Sequence, residues 1–211
     1  PRPVYARKLP PGRTLTGATP GAYRADGTFV PWDCLGAEVN GTELSDISET
    51  SDLSGSVLVI PEGIVSLARS VLYCSRAAGV VLPDSVRRIG FHAFSCCAAE
   101  YVRFPAGLRS VGESAFSSSG IRCAVLPEGL KTVGKRAFSH SSVSAAVIPD
   151  AVCGAGLFGH SEALTAVRMR CPEDASVFTG CTGLKSAHLS SCTVLPEFTF
   201  SGCQSPETAD L

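Results

Sequence analysis

The chain has 211 residues, of which 45% are hydrophobic and 18% are charged, and its mean hydropathy is +0.22. A chain with this apolar content can bury a substantial core, so the composition excludes a protein that is disordered throughout. Its 18 basic and 19 acidic residues give a formal net charge of −1, which excludes a global positive field that would attract nucleic acid or an anionic membrane.

The first 52 residues precede the regular part of the chain. Residues 1–20 contain five prolines, and we expect them to form a flexible spacer. They hold no apolar signal-peptide core, and no apolar run in the chain approaches the roughly 20 residues of a membrane-spanning helix. A mature exported protein whose signal has been removed would start in the same way. Residues 21–52 contain the only tryptophan, Trp32, and are predicted to form an N-terminal cap over the first regular unit.

A sequence repeat dominates the rest of the chain. The segment LPDSVRRIGFHAF, residues 82–94, returns as FPAGLRSVGESAF at 104–116 and as LPEGLKTVGKRAF at 126–138. Its proline recurs in steps of 22 residues, at Pro61, Pro83, Pro105, Pro127 and Pro149. The predicted units are 61–82, 83–104, 105–126, 127–148, 149–169, 170–189 and 190–211, with a half unit before them. A fixed period of this length predicts a solenoid over residues 53–211, in which each unit covers the apolar face of the next.

Each part of a unit has a predicted structural role. Apolar residues two apart, such as Val102 and Phe104, predict a short strand, and stacked strands form a parallel sheet. The following proline ends the strand. Apolar residues three apart, such as Val86 and Ile89, predict a tight 3-10 or helical arc. A glycine then marks a bend that a β-carbon would hinder. These glycines are Gly90, Gly112, Gly134 and Gly156, and the phenyl rings of Phe94, Phe116, Phe138, Phe178 and Phe200 are expected to stack as a spine.

This pattern resembles the BspA-like leucine-rich repeats, also named the Treponema pallidum type, whose unit reads roughly CxxLxxVxLPxSVxxIGxxAFxxC. The resemblance covers about residues 53–211 and is most specific over 83–148. It implies an α/β repeat fold, a right-handed leucine-rich-repeat solenoid with a concave parallel β-sheet and short 3-10 or irregular convex arcs. It also implies an exported protein, periplasmic, surface-bound or secreted, with an adhesive function. The unit at 149–169 departs from the pattern because it is shortened, and the last two units lack its Pro-x-x-Val-x-x-Ile-Gly run.

The ten cysteines allow disulfides in an exported protein, but three of them share one register. Cys97, Cys181 and Cys203 each lie three residues after the phenylalanine of their unit, where the resemblance places a buried cysteine. We expect these three to be buried thiols. The other seven are open between thiol and disulfide. The sequence has no C-x-x-C pair and no cysteine and histidine at zinc-finger spacing, so no structural metal is expected.

Motifs for catalysis are scarce. The segment GAGLFG, residues 154–159, matches the G-x-G-x-x-G pattern of dinucleotide-binding loops. That pattern requires a helix of about ten or more residues starting at the glycines, whereas here Gly156 is interpreted as the repeat glycine and the next strand is predicted at 165–169. The histidines, His92, His140, His160 and His188, are assigned to different registers. We therefore predict that the protein is not an enzyme and binds no cofactor.

The candidate binding surface is the exposed side of the predicted concave sheet. In each strand, the position between two buried residues and the position before the first buried residue face outward. The predicted ligand-binding residues are Val57, Val59, Val81, Tyr101, Arg103, Val125, Ala145 and Val147. Strands about 4.8 Å apart would join them into a contiguous apolar patch, with Tyr101 as an aromatic anchor and Arg103 on its rim. The alternative is that valine simply suits a pleated surface.

Two functions remain open on the sequence alone. One is a non-enzymatic interaction module of an exported bacterial protein, which binds a host or extracellular-matrix protein through the concave face. The other is a structural surface protein that assembles with its own copies through that face or through an open edge strand at 207–211. A basic run on the arcs is diluted by acidic neighbours and is interpreted as a solvated face. Its residues are Arg87, Arg88, Arg109, Lys131, Lys135 and Arg136.

Overall fold

The computed structural model describes residues 18–47 and 52–204 and the backbone of the strand Thr208–Asp210. Residues 1–17 of the predicted spacer and residues 48–51 of the predicted cap lie outside the described residues. Within the described ranges the chain forms 17 short strands and one 3-10 helix, Trp32–Cys34. No helix in these ranges is both long enough and apolar enough to cross a membrane.

The strands follow the repeat. In chain order they are β1 (Gly21–Tyr23), β2 (Phe29–Pro31), β3 (Ala37–Asn40), β4 (Glu43–Ile47), β5 (Val57–Val59), β6 (Ser66–Leu67), β7 (Gly79–Val81), β8 (Arg88–Ile89), β9 (Tyr101–Arg103), β10 (Ser110–Val111), β11 (Cys123–Val125), β12 (Thr132–Val133), β13 (Ala145–Val147), β14 (Val152–Cys153), β15 (Ala166–Arg170), β16 (Ser186–Ser190) and β17 (Thr208–Asp210). From β5 onward, each of the first five turns contributes one three-residue strand and one two-residue strand. The result is a β-solenoid of about six turns.

The three-residue strands and their longer successors form the sheet that the sequence places on the concave side, and we refer to it as the primary sheet. Strands β5, β7 and β9 pair in parallel, as do β11, β13, β15, β16 and β17. The pairing is in register, so the central residues Leu58, Val80 and Val102 align and point into the core. The prediction of a stacked parallel sheet is confirmed.

The primary sheet is interrupted once among the described strands, between β9 and β11. Phe104 lies directly after β9, at the register that Leu82 and Leu126 occupy in the neighbouring turns. Its ring is half-buried and packs edge-on against Phe116, with the ring centroids 5.5 Å apart. Phenylalanine is larger than leucine, so the interruption coincides with a bulkier side chain at this register.

The arcs after each proline differ from their prediction. The 3-10 or helical arcs are wrong over the described part of the solenoid, because turns and two-residue strands run there, and these strands form a second parallel ladder from β6 to β14, joined at its end by β4 and β3. The expectation of irregular arcs agrees with the turns on either side of these strands. The physical reason lies in the acceptors to which the backbone N–H groups donate. Arg87, Arg109 and Lys131 each donate their N–H to a carbonyl of the preceding turn at 2.7–2.8 Å. A 3-10 helix would need those groups within its own turn.

Phenylalanine rings fill the centre of the solenoid as a continuous stack. Successive rings at Phe94, Phe116, Phe138, Phe158, Phe178 and Phe200 have centroids 4.8–6.1 Å apart and lie nearly parallel. The first five of these rings are fully buried. Burying one such side chain contributes about 1.5–3 kcal/mol, and stacking adds about 0.5–1.5 kcal/mol for each pair. The predicted spine is confirmed, and it includes Phe158 of the shortened unit.

The register three residues after each phenylalanine is also a stack. Cys97 and Cys181 are buried there as predicted, and Cys203 is half-buried. The Cys181 thiol donates to the Phe158 carbonyl at 3.1 Å. In other turns the same position holds serine, as at Ser141, whose hydroxyl donates to the Phe138 carbonyl at 2.7 Å. Cysteine and serine are therefore interchangeable at this register, since each supplies a small donor to a buried carbonyl.

The glycine assigned to the shortened unit must be corrected. Gly154, and not Gly156, continues the column of Gly90, Gly112 and Gly134, because its N–H donates to the Val133 carbonyl at 2.8 Å as Gly134 donates to Val111. A β-carbon on Gly154 would lie 2.4 Å from the Lys135 nitrogen. The unit lost two residues in its arc, before this glycine. Residues 155–160 form turns and no helix starts at GAGLFG, so the dinucleotide-loop geometry is absent there.

The N-terminal segment packs on the first turn of the solenoid. Strand β1 pairs antiparallel with both β2 and β5, and β4 pairs parallel with β6. Leu35 and Leu44 enter the core with 1% and 0% exposure, whereas Trp32 is half-buried against it. Leucines thus contribute more to this packing than the tryptophan that marks the segment in the sequence.

Candidate binding surface on the primary sheet

The N-terminal third of the predicted binding surface is covered. Val57, Val59 and Val81 were expected to be exposed, and that expectation is wrong, because their exposure is 1%, 5% and 5%. They form a small separate apolar cluster with Tyr23, against which Ala18 packs. Ala18 belongs to the end of the predicted spacer, so at least this part of the spacer packs on the solenoid. These three valines contribute to stability and are not available to a ligand.

The cover is built by strand β1 and the hairpin that follows it. In the antiparallel register Tyr23 lies opposite Val57, and its hydroxyl donates to the Thr19 carbonyl at 2.8 Å. The Phe29 ring lies 4.7 Å from the Tyr23 ring. Gly21 permits this arrangement, because a β-carbon there would meet the Phe29 ring at 2.6 Å. The outer side of β5 and β7 is therefore buried and does not face solvent.

The exposed part of the sheet begins at β9. Val125 is 57% exposed, Ala145 is exposed, and Tyr101 and Val147 are half-buried. Cys123 is exposed and lies on the same side of β11 as Val125. Partial burial raises the pKa of the Cys123 thiol, so this side chain is neutral at physiological pH. Five predicted residues, counting Arg103, thus share an accessible surface that spans the break between β9 and β11.

Arg103 is held in place at the edge of this surface. Its guanidinium donates to the Leu82 carbonyl at 3.0 Å and forms a salt bridge with Asp84 at 2.8 Å. Both side chains are substantially exposed, at 37% and 68%, so the ion pair contributes little to stability. Its effect is on position, because the two contacts fix the planar donor group beside the apolar residues.

The surface becomes polar toward the C-terminal strands. Arg168 on β15 and His188 on β16 are exposed at the register of Val125 and Val147. Among the described residues, the accessible apolar side chains larger than alanine on this sheet are accordingly limited to strands β9, β11 and β13, although Ala166 on β15 is also exposed. A disulfide joins Cys171 and Cys192, directly after β15 and close to the end of β16, with their Cα atoms 4.8 Å apart. The sequence left both of these cysteines open.

A second surface was missed by the sequence analysis. It is formed by the turn residues on either side of the stacked phenylalanines in successive turns. His140 and His160 were assigned to different registers, but their rings lie 5.0 Å apart in one register. Because the unit between them is shortened by two residues, they share this register at a separation of 20 instead of 22. They line a polar groove of about 710 Å³. Its other residues are His92, Glu113, Ser114, Ser117, Ser118, Arg136, Ser139, Gly156, Gly159, Ser176 and Thr179.

The described residues offer no assembled metal centre. No three of their histidine, cysteine, aspartate or glutamate side chains are grouped closely enough to hold a metal ion. Every buried side-chain polar atom in the same part of the chain has a hydrogen-bond partner. The accessible chemistry therefore lies on open faces of the solenoid.

Comparison with known proteins identifies one family and several solved structures that share the fold. A model of the BspA type leucine rich repeat region matches residues 52–170 in six copies. The structure is similar to the crystal structure of a leucine-rich repeat protein of Treponema pallidum, with a TM-score of 0.63 and 25% identity over 80% of this chain and 91% of that chain. No curated protein matches the chain.

Two further crystal structures share the fold at lower identity. A leucine-rich repeat protein of Eubacterium ventriosum has a TM-score of 0.60 and 15% identity, over 80% of this chain and 53% of that chain. The pneumococcal vaccine antigen PcpA has a TM-score of 0.57 and 17% identity, over 79% of this chain and 42% of that chain. The chain thus corresponds to about half the length of these two proteins.

Proposed function

Because the chain belongs to the BspA type leucine-rich repeat family, we propose that it is a non-enzymatic protein-interaction module. Its ligand site is the exposed part of the primary sheet, formed by Tyr101, Arg103, Val125, Ala145 and Val147. Stacked repeats present an extended surface of this kind, and no three histidine, cysteine, aspartate or glutamate side chains among the described residues are grouped to hold a metal ion.

The observation that carries the proposal is the exposure of Val125. This β-branched apolar side chain is 57% exposed on β11 and is in register with the half-buried Val147 on β13. Tyrosine and arginine, which Tyr101 and Arg103 supply, are among the residue types that dominate binding energy at protein interfaces. The neighbouring valines at 57, 59 and 81 are covered by the chain itself, whereas Val125 and Ala145 are exposed.

The partner is a host or extracellular-matrix protein, and the chain is part of an exported bacterial protein. The family supports this assignment. A pneumococcal protein with the same fold is described as a vaccine antigen, and that description applies to the pneumococcal protein alone. The disulfide between Cys171 and Cys192 supports it as well, since such bonds persist in oxidising compartments.

Binding to a panel of purified extracellular-matrix and serum proteins on a sensor surface tests the proposal. We expect at least one panel protein to bind, and Val125→Glu to weaken that binding at least tenfold, because it places a charge at the centre of the apolar patch. Thr132→Glu is the matched control, since Thr132 is an exposed strand residue of the second ladder. Equal binding by the wild-type protein and both variants would refute the assigned site.

Self-association through the same surface is the competing outcome. It would appear in light scattering as a mass twice that of one chain, which Val125→Glu returns to the monomer mass and Thr132→Glu leaves unchanged. That result would replace the host-protein ligand by a second copy of the chain.

A further inference from the structure

Two exposed cysteines lie one above the other in successive turns. Cys74 and Cys96 are 22 residues apart and occupy the same register of the repeat. The Cys74 N–H donates to the Ser95 carbonyl at 3.0 Å, and the Cys96 N–H donates to the Ser117 carbonyl at 2.9 Å. Both residues adopt the left-handed conformation, with φ of 55° and 57°. The two backbones are therefore in direct hydrogen-bonded contact and have the same local shape.

This geometry suits a covalent link between the two sulfurs. Backbones that hydrogen-bond between neighbouring turns lie about 4.8 Å apart, and a disulfide requires a Cα separation of about 4.4–6.8 Å. Because the two residues share one conformation, their Cα–Cβ bonds point the same way. The molecule already contains a bridge of this type, since Cys171 and Cys192 join successive turns with a Cα separation of 4.8 Å.

The neighbouring Tyr73 agrees with this placement. The pKa of its hydroxyl is raised, first by interaction with Cys74 and then by the charge of Cys96, so both cysteines act on one side chain. The ring is 53% exposed, so the pair is open to small reagents from solvent.

We propose that Cys74 and Cys96 are a modification site, at which a small-molecule disulfide converts the two thiols into a second bridge between turns. One thiolate attacks a sulfur of the small disulfide, so a mixed disulfide forms and one small thiolate leaves. The other cysteine thiolate then attacks the protein sulfur of the mixed disulfide and displaces the second small thiolate. The protein loses two electrons and two protons, and the small disulfide becomes two small thiols.

Other cysteines provide internal controls. Cys181 and Cys203 also lie in successive turns at one register, but their thiols donate to the Phe158 and Phe178 carbonyls. Burial raises the pKa of Cys181 to about 12 and also raises that of Cys203, so neither supplies an attacking thiolate at neutral pH. Cys34 and Cys123 are exposed thiols on other parts of the fold. They are controls for a thiol that reacts with the small disulfide without a partner cysteine.

The experiment treats the folded full chain with oxidised glutathione at pH 8, blocks remaining thiols by alkylation, and maps peptides by mass spectrometry without reduction. We expect a peptide pair linked between Cys74 and Cys96, with the loss of two hydrogens and no retained glutathione. Cys96→Ser is expected to leave glutathione attached to Cys74. Serine suits this site because Ser118 occupies the same register with φ of 56°.

A second readout follows from the closed loop of about 20 residues. Bridges of this kind stabilise a protein of this size by roughly 5–10 °C in Tm. The oxidised wild-type protein should therefore melt higher than the oxidised variant Cys74→Ser/Cys96→Ser, in which the Cys171–Cys192 bridge is retained. Separate glutathione adducts at 74 and 96, a link from Cys74 to Cys97, or a bridge between Cys181 and Cys203 in preference to this pair would each overturn the proposal.

Discussion

Valine occupies the same position of the repeat at residues 81 and 125, yet the two side chains have opposite environments. Val81 is 5% exposed because Tyr23 and its neighbours cover β7, whereas Val125 is 57% exposed on β11. Repeat position alone therefore does not decide what a residue does. The difference arises from a segment that precedes the repeats and follows no repeat register.

Glutamate at these two positions should separate stability from binding. Val81→Glu buries an unpaired charge, so we expect it to lower the free energy of unfolding by about 3 kcal/mol or more. Val125→Glu faces solvent and should change stability by less than about 0.5 kcal/mol. Urea unfolding followed by circular dichroism measures both. Equal losses for the two variants would contradict the assigned burial.

A buried thiol should make the protein sensitive to alkali. Burial raises the pKa of Cys181 from its ordinary 9.0 to about 12. In the unfolded chain the thiol ionises above pH 9, whereas in the folded chain it stays protonated up to about pH 12. The stabilising contribution is therefore complete below pH 9 and is lost as the pH rises through this window.

Cys181→Ser removes this titration. Serine fits the position because Ser161 occupies it one turn earlier, with its hydroxyl donating to the Phe138 carbonyl at 2.6 Å. Between pH 8 and pH 10.5 the wild-type protein should lose about 2 kcal/mol more stability than the variant. Urea midpoints measured across this range test the difference, and superimposable pH profiles would be the opposing result.

At the scale of the structural element, the shortened unit gives the sharpest test of register. A β-carbon on Gly154 would lie 2.4 Å from the Lys135 nitrogen, in the close contact between two turns. Gly156 has φ of 64°, but the nearest atom to its β-carbon would be 3.5 Å away, and other turns place serine, histidine or arginine at its register.

We therefore expect Gly154→Ala to destabilise the protein by about 2 kcal/mol or more and Gly156→Ala by only about 1 kcal/mol. The larger clash at Gly154 involves backbone atoms, which cannot move without displacing the adjacent turn. Denaturant unfolding of the two variants makes the comparison directly. A greater loss for Gly156→Ala would restore the register that the sequence pattern first suggested.

For the whole molecule, the period was sufficient to predict the stack, because a 22-residue unit can bury its apolar face only against a neighbour. The phenylalanine spine follows from that period and is confirmed, as is the burial of Cys97 and Cys181, which the resemblance to the BspA-like repeats implied. The cover on β5 and β7 was not predictable, since β1 pairs antiparallel and carries no repeat residue. To predict that His140 and His160 lie together, one must locate a two-residue deletion, and a single sequence allows more than one position for it.

The exposed surface from β9 to β13 is the functional conclusion for the whole molecule. It is bounded by the Tyr23 cluster on one side and by Arg168 and His188 on the other. Among the described residues, only this part of the primary sheet has accessible apolar side chains larger than alanine. A protein ligand bound there would bury reactive side chains that can be followed individually.

Hydroxyl-radical footprinting of the complex with whichever panel protein binds tests this conclusion most directly. Tyr101 and Cys123 are the reporters on the primary sheet, and Tyr73, which lies in a turn segment outside it, is the control. The account predicts that binding reduces labelling of Tyr101 and Cys123 severalfold and leaves Tyr73 unchanged. Protection of Tyr73 with undiminished labelling of Tyr101 and Cys123 would contradict it.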